Sequence, residues 1–279
     1  MIGIGFGGHT RSSSDYPDKV VVFTNQKYTC ANHKIDNIRG RYSPGMAELD
    51  GWLYICGGHY YGATDPLIDC KKFDLNSKNG AWTAAPDLPK KRRHFEMLRF
   101  ESSIFVLGGQ NYWNGGSECL NTLHEFNHES NIWTSKANLP FPNHRHCAVA
   151  DDEDGKIWMI GGHECGVGDK MQVYYYTVSS NIWTHHSNLI GNQAVIDPSC
   201  GIITKTTGEK WLLVVKGQRT EAVIFYDLTN QKGWNHASNL FGNGKQYFMR
   251  MITLNPYSAF IVGSYSTRHG TSLKKHFRV

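Results

Sequence analysis

The chain has 279 residues, 40% hydrophobic and 19% charged, with a formal net charge of +5. No apolar run approaches the roughly 18 residues of a membrane-spanning helix, and the mild positive charge falls short of the concentrated basic footprint of a nucleic-acid binder. Neither a membrane nor a nucleic acid is therefore an expected partner.

Short runs of β-branched and aromatic residues, bounded by turn residues, follow one another along the whole chain. The first unit opens at its second strand, Ile2–Phe6, continues with Val20–Thr24, and ends with a strand near Tyr28. The second reads Gly45–Leu49, Trp52–Cys56, Cys70–Leu75 and Ala81–Ala84. The third reads Phe95–Phe100, Ile104–Leu107, Thr122–Asn127 and Ile132–Lys136, with a long polar loop from Gln110 to Asn121. The fourth reads Cys147–Ala150, Ile157–Ile160, Gln172–Thr177 and Ile182–His185, and the fifth Gly201–Thr204, Trp211–Val215, Ala222–Leu228 and Gly233–His236. The sixth offers Phe248–Leu254, Ala259–Val262 and Leu273–Val279, with no fourth strand. Two landmarks keep time with these strands. Trp82, Trp133, Trp183 and Trp234 recur every 50 or 51 residues. Gly57-Gly58, Gly108-Gly109 and Gly161-Gly162 end the second strands, with Gly7-Gly8 before them and the weaker Lys216-Gly217 and Gly263-Ser264 after. A fixed period of this length marks an array of similar units. We read residues 1–279 as a single domain of six units, at about 1–36, 37–88, 89–140, 141–190, 191–240 and 241–279.

A four-stranded unit exposes two apolar faces, and radial stacking of the units covers both. The glycines let each second strand end in a sharp turn where a side chain would collide. Each tryptophan fills the gap between neighbours, a burial whose loss on truncation to alanine costs roughly 3–5 kcal/mol. Gly-Gly after an apolar strand, the aromatic-acidic steps Phe73-Asp74 and Tyr226-Asp227, and the closing tryptophan resemble kelch repeats. The resemblance spans the chain in six copies and implies an all-β, six-bladed β-propeller. It weakens in the first unit (Tyr28 for Trp), the fifth (Lys216-Gly217) and the sixth (Gly263-Ser264, no Trp). In ring order the missing strands, the fourth of unit six and the first of unit one, are adjacent. A single segment of roughly 20–30 residues, before Met1 or after Val279, would supply both.

Function on such a scaffold concentrates in loops. The long loops after the second strands carry Tyr60, Tyr61, Tyr112, Trp113 and His163, and Arg268 follows the sixth unit's second strand. Aromatics and arginine are the usual anchors of binding surfaces, against which stands a loop that merely folds back on itself. Arg41, Arg93 and Arg145 each stand just before a first strand, where kelch proteins often place an arginine near the mouth of the central channel. Three guanidinium groups there can grip a carboxylate or phosphate by forked hydrogen bonds, or hold backbone carbonyls and channel waters. The run Lys90-Lys91-Arg92-Arg93 reads as a solvated loop or a binding patch.

Seven scattered cysteines with no C-x-x-C pair read as buried reduced thiols, which leans the chain toward the cytoplasm or nucleus. Beyond His144-x-His146 no close ligand pair with a supporting carboxylate stands out, so no metal site, no cofactor and no catalytic residue is expected. The resemblance implies a protein-binding module. An acidic peptide or loop at the channel mouth is the specific expectation, as in substrate-recruiting adaptors of cullin ubiquitin ligases or in scaffolds. An actin-binding scaffold, or a kelch-fold oxidase or sugar-modifying enzyme working in the channel, is the alternative.

Overall fold

The apolar runs ending at Gly-Gly become the second strands of antiparallel sheets. The computed structural model describes residues 2–6, 19–24, 33–34, 40–60, 63, 65–77, 80–113, 116–216, 223–237, 250–255, 258–262 and 274–278. Four sheets carry four strands each. Sheet two comprises Gly45–Leu49, Trp52–Cys56, Cys70–Asp74 and Thr83–Ala85. Sheet three comprises Glu96–Phe100, Ser103–Leu107, Leu123–Asn127 and Ile132–Ser135. Sheet four holds Cys147–Asp151, Lys156–Ile160, Gln172–Thr177 and Ile182–Asn188, and sheet five Ser199–Thr204, Lys210–Val215, Val223–Asp227 and Trp234–His236. Sheets one (Ile2–Phe6, Lys19–Thr24, His33–Lys34) and six (Arg250–Asn255, Ser258–Val262, Lys274–Arg278) have three strands each among the described residues. Tyr28, Gly7, Gly8, Gly217, Gly263 and Ser264 lie outside the described residues.

The first strands of sheets two to six stand side by side in chain order, and Ile2–Phe6 stands beside Arg250–Asn255. This is a propeller arrangement, all β, with four complete blades among the described residues. The second strand of sheet three, Ser-Ile-Phe-Val-Leu, is buried at all five positions, because a neighbouring blade covers each face. One apolar cluster joins sheets two and three, another three and four, a third four and five. The tryptophans seal these joints. Trp133, Trp183 and Trp234 donate their indole N–H to Pro86 O (3.2 Å), Ala137 O (3.1 Å) and Ser187 Oγ (3.0 Å) of the preceding blade's exit. Lys210 pins sheet five to four through Asp151 (3.0 Å), Glu153 (2.9 Å) and Asp154 (3.4 Å).

The glycine pairs have a second reason to lack side chains. Gly108 has φ +57°, and a Cβ there would lie 2.2 Å from Asn143 O, the carbonyl that accepts the N–H of Gly109 at 2.8 Å. Gly57 meets Arg92 O in the same way, at 2.6 Å, and Gly161 meets Val195 O at 2.8 Å. Each pair is therefore tucked under the next blade's connection. Gly108→Ala is expected to cost roughly 2–5 kcal/mol, from the left-handed backbone and the overpacking together, measured by denaturant unfolding. A loss below 1 kcal/mol would show that the contact yields.

Six of the seven cysteines are paired, which corrects the expectation of reduced thiols: Cys56–Cys70, Cys119–Cys165 and Cys147–Cys200 are disulfides. Cys30 lies outside the described residues. The first disulfide crosses adjacent strands of one sheet and the other two join neighbouring blades, so their partners are 14, 46 and 53 residues apart. Residues one repeat apart in sequence are neighbours in space. The polar stretch from Gln110 to Asn121 is also not a plain loop: Gln110–Trp113 pairs with Gly116–Cys119 as a hairpin.

Candidate functional site: the connections between blades

Each connection places three consecutive residues differently. Four residues before each inner strand stand Arg41, Arg92 and Asn143, all buried. Their side chains donate to the first glycine carbonyl of their own blade: Arg41 to Gly57 O (3.1 Å), Arg92 to Gly108 O (2.9 Å), Asn143 to Gly161 O (2.9 Å). Arg41 is also paired with the Asp69 carboxylate at 2.6 Å. Arg92 reaches Thr122 Oγ1 (3.2 Å) and His124 Nδ1 (3.3 Å), and burial pushes its pKa down to about 9.

One residue on come Tyr42, Arg93 and His144. Each exchanges backbone hydrogen bonds with the residue after a Gly-Gly pair: His59, Gln110 and His163. The Arg93 guanidinium stacks 4.4 Å from the Tyr112 ring centre and donates to the Tyr112 hydroxyl, to Gln110 Oε1 (3.1 Å from Nη2) and toward His59 Nε2 (3.3 Å). At the third position stand Ser43, His94, Arg145 and Asp197, all left-handed, with φ of 49°, 52°, 56° and 53°. Their backbones form a relay: His94 N donates to Ser43 O (3.3 Å), Arg145 N to His94 O (2.9 Å), Asp197 N to Arg145 O (2.9 Å). Four non-glycine residues held in this sparse region form one continuous chain across four blades, the kind of over-determined strain that gathers at functional sites. Arg145 forks onto Asp197, with Nε at 2.9 Å from Oδ1.

The imidazoles between these cations are held neutral. Burial, then Arg93 and Arg145, push His94 down to about 2. Burial pushes His144 down to about 4, and burial and Arg93 lower His59. Edge contacts link them: Tyr42 to His59 (5.1 Å) and to His94 (5.2 Å), His144 to His163 (5.2 Å). Beside Tyr112 lies a groove of about 730 Å³ lined by Asp65, Ile68, Lys90, Lys91, Tyr112 and Glu118, with Lys90–Glu118 (2.8 Å) and Lys91–Asp65 (3.5 Å) along it.

The sequence placed Arg41, Arg93 and Arg145 together. The structure separates them: Arg41 is a buried bracket within its own blade, 6.0 Å from the half-buried Tyr60 ring, Arg93 lies over Tyr112, and Arg145 belongs to the left-handed relay. The basic run divides likewise. Lys90 and Lys91 line the groove, Arg92 is in the core, and Arg93 pairs with Gln110 and lies over Tyr112. His163 is paired with Asp169 at 2.6 Å. Trp113 pairs through its backbone with Gly116. Tyr61 and Arg268 lie outside the described residues. Sequence reasoning missed Arg92, His94, Gln110 and Asp197. The signal was a drift: the arginines step by 52 residues while the inner strands start at Gly45, Glu96 and Cys147, in steps of 51. It named His144, with His146, but missed its grouping with Cys119 and Cys165, whose ligating atoms and its own all lie within 4.8 Å of one another.

The kelch motif matches residues 91–140, which is sheet three with its connections. Kelch domain-containing protein 10 of Homo sapiens is 32% identical over 135 residues, 44% of this chain and 29% of that protein. Kelch-like protein 38 of Rattus norvegicus is 23% identical over 192 residues, 68% of this chain and 31% of that protein. Alpha-scruin of Limulus polyphemus is 32% identical over 115 residues, 39% of this chain and 12% of that protein. The matched segments thus span less than a third of each relative's length. The solved structure of YjhT superposes with a TM-score of 0.63 at 16% identity, covering 85% of this chain and 80% of that one, a likeness of fold. With a kelch motif at 91–140 and the same register repeated in four sheets, the chain carries kelch-type repeats and is similar to kelch-repeat proteins.

Proposed function

We propose that this propeller is a protein-interaction module that binds an acidic peptide or loop of a partner protein at Arg93 and Arg145. The observation that carries this reading is Arg93. Its guanidinium is oriented by Gln110, Tyr112 and a neutral His59, so its charge is held in place by uncharged groups. A planar, pre-oriented guanidinium is suited to forked recognition of a carboxylate. Arg145 adds a second cation, shared with Asp197. Burial holds the neighbouring His94 and His144 neutral, so the charge there is that of the arginines. A substrate-recruiting or scaffolding role is the biological form this reading takes; membership of a cullin ligase rests on family resemblance alone. The same reading takes the two three-stranded sheets as blades of a six-bladed ring. A cytoplasmic location loses its main support with the thiols, since three disulfides fit an oxidising compartment better.

The test is fluorescence anisotropy with a panel of Asp- and Glu-rich peptides. Arg93→Glu with Arg145→Glu is expected to weaken the best binder at least tenfold, about 1.4 kcal/mol. Lys90→Glu with Lys91→Glu, along the groove, is expected to change it less than threefold. Thermal melting checks that each variant folds, and Arg93→Gln serves as the milder substitution. Equal affinity for the unmodified chain and the Arg93 variants overturns the assignment.

A further inference from the structure

The Cys119–Cys165 disulfide differs from the other two in where it sits. Cys56, Cys70, Cys147 and Cys200 are buried in and between blades, whereas Cys119 and Cys165 are half-exposed on the loops after the second strands of sheets three and four. Cys119 ends the Gln110–Cys119 hairpin, and Cys165 follows the short strand His163–Glu164. A buried histidine stands against them: His144 Nδ1 is 3.3 Å from Cys119 Sγ. The backbone N–H of Cys165 donates to Cys119 Sγ at 3.1 Å, and Ser117 Oγ lies 3.8 Å from Cys165 Sγ. Donors of this kind stabilise negative charge on sulfur.

We propose that Cys119, Cys165 and His144 form a redox-gated site for a thiophilic divalent cation of the zinc type, closed as a disulfide and open as a dithiol. Two thiolates and an imidazole with a fourth position left for solvent are a ligand set zinc accepts. Metal–ligand lengths of about 2.3 Å to sulfur and 2.0–2.1 Å to nitrogen imply a nitrogen–sulfur edge of about 3.5 Å and a sulfur–sulfur edge of about 3.8 Å in a tetrahedron. His144 and Cys119 already stand at 3.3 Å, so opening the site asks chiefly for separation of the two sulfurs. They are carried on separate loops, which lets that separation occur without moving a blade. In the disulfide form His144 Nδ1–H donates to His163 O at 2.9 Å. When Nδ1 binds the cation its proton moves to Nε2, and His163 O keeps the hydrogen bond from His144 N at 3.1 Å.

The chemistry balances. A dithiol reductant opens the Cys119–Cys165 bond by thiol–disulfide exchange, becoming a cyclic disulfide while its two thiol hydrogens end on the cysteines. The divalent cation then displaces two protons, one from each thiol. The oxidised chain offers no thiolate and binds no cation there.

The test uses the full chain, with Zn²⁺ and Co²⁺ as probes. After brief dithiol treatment and anaerobic removal of the reductant, one equivalent of Zn²⁺ is expected to bind in competition with a chromophoric chelator, at least tenfold more tightly than to the oxidised chain. Co²⁺ is expected to give the sulfur-to-metal charge-transfer and visible bands of a tetrahedral thiolate site. His144→Ala is expected to weaken Zn²⁺ at least tenfold, and Cys119→Ser to abolish the charge-transfer band. Because either variant can fail to fold, alkylation of the unmodified reduced chain is read by mass spectrometry: Zn²⁺ is expected to protect Cys119 and Cys165 together. Failure of mild reduction to open this disulfide, absence of stoichiometric binding, or binding without protection of this pair overturns the proposal.

Discussion

Between pH 7 and pH 4.5 the propeller is expected to lose most of its stability, through histidines that fold neutral. Burial pushes His146 down to about 3, His124 to about 4 and His144 to about 4, and burial with two flanking arginines pushes His94 to about 2. The unfolded chain carries ordinary histidines with pKa near 6.5. Below that value the unfolded state binds more protons than the folded state, so stability falls as pH falls. Each group contributes about 1.4 kcal/mol per pH unit until its folded pKa is reached. Together they remove on the order of 5–10 kcal/mol by pH 4.5, against a typical domain stability of about 5–15 kcal/mol. Asp151 works the other way, since burial raises its carboxyl, but it is one group against four. Thermal melting at pH 7.5, 6.0, 5.0 and 4.5 reads the effect, and a His146→Gln variant should show a shallower slope. A melting temperature that stays flat over this range contradicts the buried, neutral assignment.

The second large effect separates two adjacent arginines. Arg92→Ala removes a fully buried side chain that fills the blade and satisfies Gly108 O and Thr122. The cavity and the orphaned acceptors cost about 2–5 kcal/mol and 1–3 kcal/mol, and relief of a desolvated charge offsets part of that. A net loss of about 3 kcal/mol is expected, with peptide binding unchanged where the variant remains folded. Arg93→Ala, whose guanidinium lies over Tyr112, is expected to cost less than about 1 kcal/mol, in line with side chains away from the core, and to weaken binding. Denaturant unfolding paired with anisotropy measures both. If Arg92→Ala is no more destabilising than Arg93→Ala, the register of the connections is misassigned.

The blades were legible because their determinants are local and recur. An apolar pentad, a Gly-Gly stop and a tryptophan reappear at one spacing, and each does the same packing job wherever it occurs. The connections were less legible because three neighbouring positions have three fates. Arg41, Arg93 and Arg145 look alike by residue type and near-equal spacing, yet a drift of one residue per repeat carries them from the core bracket through the Tyr112 stack to the left-handed relay. The disulfides were hidden for the opposite reason. Two of the three join partners distant in sequence, and only the repeat period itself reveals that 46 and 53 residues amount to one step around the ring. The same distance concealed the Cys119, His144 and Cys165 grouping, since neither cysteine stands near the histidine in the chain.

Site-specific photo-crosslinking tests the central claim most directly. A benzophenone side chain placed at Ser117, exposed on the hairpin beside Tyr112, is compared with one at Ile182, exposed on the outer strand of sheet four. The acidic peptide that binds best is predicted to crosslink from position 117, and to stop doing so when Arg93 and Arg145 are reversed in charge. Crosslinking from position 182, or from 117 regardless of the arginines, would place the binding surface elsewhere on the propeller.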